Sequence, residues 1–134
     1  MGRILENDRK ALELSIFLPM VLTVLTKDLN ALKQVPFKLN EPYVELIEET
    51  QKHIQNDLRK VKQLMKIRNL KAFKEGQDDV FSQYLFIYNG YEEKRNYFNP
   101  KIRHNVELLM KQYFLKKDGE FFSEKQLFTK QKSS

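Results

Sequence analysis

The sequence predicts an all-α fold: an antiparallel four-helix bundle made of two helical hairpins, followed by a short C-terminal extension. Composition is the first reason. The 134 residues include only four glycines and four prolines, and abundant Leu, Lys, Glu and Gln favour long helices over a turn-rich β fold. Apolar residues recurring at intervals of three and four are the second. Prolines, glycines and asparagines placed where helices start and stop are the third. A chain of this length buries roughly two thirds of its unfolded surface as one domain. Residues 1–117 are assigned to the bundle and 118–134 to the extension, partly disordered at its end.

The first helix starts near Asn7 or Asp8, either able to cap, and runs to about Lys33. Leu18, Leu22, Leu25, Leu29 and Leu32 form its seam. Pro19 lies inside and predicts a kink or a break, because it removes a ladder bond and crowds the carbonyl of Ser15. Asn40 is the expected cap of the second helix, with Pro42 tolerated in its first turn and Glu41 and Glu45 near its positive end. Val44, Ile47, Gln51, Ile54, Leu58, Val61 and Met65 carry that helix to about Leu70. Residues 71–79 read as a linker with Gly76 as a stop. A third helix is expected from about Val80, and a fourth from Pro100 with Asn99 as cap and Ile102, Val106, Leu109 and Tyr113 on one face.

Several function classes lose support at this level. There is no cysteine, which removes disulfides, thiolate metal sites and cysteine nucleophiles. The uncharged run Leu14–Thr26 is thirteen residues long, short of the roughly 20 a spanning helix needs. Acids beside the first bases argue against a signal peptide, so a soluble, unexported, cytoplasmic protein without a membrane partner is expected. Two histidines, His53 and His104, stand in no Glu-x-x-His order, so a bundle metal site is not expected. Glycines at 2, 76, 90 and 119 cannot build a phosphate cradle, and no nucleophile elbow is present. The reading is of a non-enzyme with no cofactor and no small-molecule substrate.

Charge is unevenly placed within a formal net of +6. The first 50 residues carry eight acids against six bases, so the remainder holds the whole positive excess. Arg59, Lys62, Lys66 and Arg68 are among the bases that load the second half of the second helix, and Arg59, Lys62 and Lys66 are expected to share a face with Lys52, a stripe able to follow a phosphate backbone. The plainer reading is a solvated face, and a lysine-rich set lacks the arginine fork that base-edge readout prefers.

Tyr84–Pro100 is the most unusual stretch. Phe81, Tyr84, Tyr88 and Tyr91 fall three, four and three apart, helical spacing for an aromatic stripe. Core packing accounts for most such stripes. Gly90 inside a helix, the charged run ending in Arg95, and Tyr97 with Phe98 at the end have the composition of an interface core and rim. Tyr84, Tyr88, Gly90, Tyr91, Arg95, Tyr97 and Phe98 are therefore the candidate partner-binding residues.

Two segments, IFLPMVLTVLTKDL with the following PFKLNEPYVELIEE, and FIYNGYEEKRNYFNPKIRHNVELLM, resemble the YhjD-like family of small proteins from spore-forming Bacillus-type bacteria. The resemblance covers about residues 3–114. It implies a bacterial cytoplasmic or spore-associated protein and supplies no activity or site, while the Lys, Asn and Phe usage also suits a phage protein. The expectation is a non-enzymatic helical interaction or assembly module, with a protein partner or a second copy. The alternative is a basic nucleic-acid-associated regulator.

Overall fold

A computed structural model describes residues 4–35 and 38–115. Along the chain run α1 (Glu6–Gln34), α2 (Glu41–Arg68), β1 (Leu70–Gln77), β2 (Phe81–Tyr88), β3 (Tyr91–Phe98) and α3 (Asn99–Leu115). The expected C-terminal extension lies outside the described residues, as do Pro36 and Phe37.

The first hairpin forms as its periodicity predicts, with different fastenings. α1 runs through Pro19 as one element, so the helix does not break there. Asp8 is not its cap. Leu5 holds that place without a side-chain bond, and Asp8 is buried against Arg68 at the far end of α2. Asn40 precedes α2, but its backbone is already helical and its amide donates to the Leu32 carbonyl at 3.1 Å. That bond staples the start of α2 to the end of α1. Along the seam Leu18, Val21, Leu25 and Leu29 are buried against Ile47, Ile54, Val61 and Leu64.

Beyond Arg68 the prediction of a second helical hairpin is overturned. Asn69 adopts the left-handed conformation, φ 59°, and ends α2. Residues 70–98 then form a three-stranded antiparallel sheet in the order β1-β2-β3, so the fold is α+β and not an all-α bundle. The cause is local. Asn89 and Gly90 both have positive φ, 52° and 81°, and a two-residue turn of that kind reverses the chain with the twist that flanking strands require. What reads as a continuous aromatic stripe is folded back on itself, pairing Tyr88 with Tyr91 and Phe81 with Phe98. The expected linker 71–79 supplies β1, whose register shifts between Lys74 and Gly76, and a tight turn. There the Asp78 carboxylate accepts from the Val80 and Phe81 amides at 2.8 and 2.7 Å.

The sheet has two unlike faces. Ser82, Tyr84, Phe86 and Tyr88 alternate inward along β2 and are buried. By register Leu70, Ala72 and Lys74 of β1 and Tyr91, Glu93, Arg95 and Tyr97 of β3 share that side. The Tyr97 ring meets Phe17 of α1 edge-on, centroids 5.8 Å apart. α3 turns back from β3 to lie chiefly on α1. It buries Ile102, Val106 and Tyr113, with Leu109 partly covered. Asn99 accepts from Ser82 at 2.7 Å and donates to the Asp78 carbonyl, so its side chain is spent tying strand, turn and helix together.

Candidate interaction surface

The opposite face of the sheet carries the residues that β2 turns away from the core. Two rows run across it: Lys71, Ile87 and Glu92, then Phe73, Leu85 and Lys94. Leu85 and Ile87 are half-buried between their flanking strands, yet neither joins the hydrophobic core. Phe73 is 49 % exposed. At one end the Phe81 and Phe98 rings meet at a tilt of 53° with centroids 5.9 Å apart, both about half exposed. No described helix lies over these residues. Charges frame them, since Glu75 reaches across Leu85 to Lys94, 4.0 Å between carboxylate and ammonium. An apolar strip on a central strand, rimmed by exposed charge, is the make-up of a protein contact surface.

The partner-binding residues expected from the sequence do not stay together. Tyr84 and Tyr88 are buried on the inner face. Burial pushes the Tyr84 phenol up. The Tyr88 hydroxyl donates to Glu93 at 2.8 Å, and that bond raises the phenol and holds the carboxyl below the usual glutamate range. Arg95 bonds the second Glu93 oxygen at 2.7 Å, its guanidinium 5.5 Å from the Phe86 ring centroid. Tyr97, also pushed up by burial, donates to Glu13 of α1 at 2.8 Å. Gly90 serves the hairpin turn, with Tyr91 exposed beside it. Only Phe98 of the seven sits on the outer face. Sequence reasoning missed Phe73, Leu85 and Ile87, whose signal is strict alternation either side of Asn89–Gly90.

The basic set is divided as well. Arg59, Lys62 and Lys66 line one open groove of about 410 Å³ on α2, together with Leu58. Arg68 is elsewhere. Its guanidinium makes a two-point ion pair with Asp8, which is 2 % exposed, and that carboxylate raises its pKa further.

A larger open cleft of about 640 Å³ lies between α2 and α3, lined by His53 and Tyr113. There Tyr113 donates to the buried Asp57 at 2.6 Å, and His53 approaches the same carboxylate at 4.0 Å while meeting the Tyr113 ring edge-on. The group joins α2 to α3. Among the described residues no set of three or more His, Asp or Glu is placed to hold a metal ion, and no helix is long and apolar enough to cross a membrane.

The family model described as YhjD protein matches residues 3–118. An uncharacterised protein YhjD of Bacillus subtilis (strain 168) is 35 % identical over 118 residues, covering 88 % of this chain and 98 % of that protein. No solved structure matches the chain. With inner and outer sheet faces assigned and the matched region spanning every described element, the chain belongs to the YhjD family.

Proposed function

We propose that this chain is a non-enzymatic interaction and assembly module that engages another folded protein surface through the outer face of its sheet. One observation carries the reading: Leu85 and Ile87, on the central strand, lie outside the core, with Phe73 exposed beside Leu85 and Phe98 exposed farther along the same face. Covering such a strip removes apolar surface from water at about 25 cal/mol per Å². The buried polar groups support the non-enzymatic part, because Asp8, Asp57 and Ser82 are each spent on a bond between elements. The compartment in this reading is the bacterial cytoplasm, the spore being its more specific form.

The test is a photo-crosslinking residue placed at Phe73 in living cells, with one at Glu49 on α2 as the control. A dominant adduct of one defined polypeptide from Phe73, lost when Leu85 is changed to Asp, is expected. No adduct from Phe73, or the same adducts from both positions, overturns the reading.

The groove on α2 favours a second reading, in which Arg59, Lys62 and Lys66 hold a nucleic-acid backbone. Changing Lys62 and Lys66 to Glu would then abolish a band shift at moderate salt. A shift that survives the change removes this reading.

A further inference from the structure

Resting on the proposed interaction surface, we infer that its partner is a second copy of this chain, related by a two-fold axis running along β2. Charge on the outer face is arranged with the symmetry such a pair needs. On one side of the central strand β1 presents Lys71 and Glu75 outward, and on the other side β3 presents Glu92 and Lys94. Lys71 and Glu92 share a row through Ile87. Lys94 and Glu75 are near enough to meet over Leu85. At the height of Ile87 the sign is thus opposite on the two sides of β2, and Glu75, at the register shift, brings the opposite sign close to Lys94.

Two sheets stacked face to face lie about 10 Å apart. A two-fold axis between them and parallel to β2 keeps each row at its height and sets β1 of one copy against β3 of the other. Lys71 of each copy then stands opposite Glu92 of its mate, and Glu75 stands near Lys94. Leu85 meets Leu85 and Ile87 meets Ile87 along the axis. An isologous contact of this kind needs a patch complementary to itself, and this antisymmetry supplies it.

Within one copy Glu75 and Lys94 meet each other, but Lys71 and Glu92 are poorly used. Lys71 and Glu92 are both exposed and lie two strand spacings apart, about 10 Å. Neither makes an ion pair among the described residues. Three strands of eight residues offer a flat patch on the order of 14 by 25 Å, which places the pair of copies in the small, transient class of interfaces. A dimer of micromolar strength is expected, dissociating on dilution.

The test is sedimentation equilibrium on the full chain, with Lys71→Glu and Glu92→Lys. Each variant alone puts like charges opposite one another twice per dimer, and is expected to weaken association about tenfold. Mixing the two variants restores both ion pairs in a heterodimer, so the mixture should associate about as well as the unaltered chain. A structural fault in either variant could not be repaired by mixing. Mixing that fails to restore association overturns the inference, as does a chain that stays monomeric up to millimolar concentration. The Phe73 probe separates this failure from that of the broader reading. An adduct with a different protein overturns the second copy and keeps the interaction surface, an adduct within one chain to residues 116–134 overturns both, and no adduct removes both.

Discussion

Tyr97, in the last strand, donates its hydroxyl to Glu13 of the first helix at 2.8 Å, across 84 positions of sequence. This bond adds a polar tie to α1 on the face that the burial of Tyr84, Phe86 and Tyr88 already sets inward, leaving the other face over. Glu13 also receives Arg9, at 3.3 Å, so the carboxylate keeps a partner if the phenol is lost. Tyr97→Phe should lower stability by about 1 kcal/mol, read from the urea midpoint. Its ring contact with Phe17 and self-association should persist.

Arg68 and Lys66 lie two positions apart and should respond in opposite ways. Removing the guanidinium with Arg68→Met leaves Asp8 buried without its cation, a loss on the order of 3 kcal/mol for a broken buried pair. A partly exposed Arg68 puts this toward the lower end. Lys66→Glu, on the solvated groove, should change stability by about 0.5 kcal/mol or less. Thermal melting of the two variants checks the contrast.

A pair of glycine substitutions separates space from backbone strain. Around both Gly76 and Gly90 an added Cβ would meet nothing within 4 Å, but Gly90 holds φ +81°. Gly90→Ala should therefore cost about 1 kcal/mol through backbone conformation alone. The Gly76→Ala change should be close to neutral. Equal losses at both positions would contradict the hairpin turn.

Acid should loosen the inner sheet face. The Tyr88 hydroxyl, and after it Arg95, hold the Glu93 carboxyl below its ordinary value of 4.5. A carboxyl depressed in the folded state adds stability above its unfolded pKa and loses it as pH falls through the folded one. Unfolding midpoints should thus decline below about pH 4.5. Glu93→Gln should flatten that decline, leaving the parts due to Asp78 and to Glu6, which its bond to Arg9 lowers. Two backbone donors, Phe81 and then Val80, lower Asp78 in the same direction.

The helical hairpin was legible because one face of each helix is apolar and the other charged, so a period near 3.6 stands alone. The sheet was not. β2 is the central strand and from Tyr84 onward is apolar on both sides, with Tyr84, Phe86 and Tyr88 inward and Leu85 and Ile87 outward. A run apolar everywhere satisfies a period of two and of 3.6 alike. The pair Asn89–Gly90 decides between them, since it is the strongest short signal of a hairpin. Read as an isolated helical glycine, Gly90 concealed the turn. The site went with the fold: once Tyr84 to Tyr91 is folded back, tyrosines at helical spacing fall on the buried side. The surface passes instead to Leu85 and Ile87, which alternate with them. Arg68 shows the same limit at a distance, for nothing near it in sequence announces a partner 60 positions away.

The shift in register between Lys74 and Gly76 acquires a further meaning from the shortness of the sheet. Among the described residues both β1 and β3 are edges, and an unbroken edge is a template on which another chain can add strand after strand into a fibre. On β1 the extra residue at Glu75 throws any incoming strand out of step after Lys74, and Glu92 and Lys94 put charge along β3. Growth sideways is disfavoured by these features, whereas the proposed face-to-face pairing would cover the outer sheet face of each copy and stop at two. The register shift in β1 would thus let an apolar strip stay open without seeding a filament.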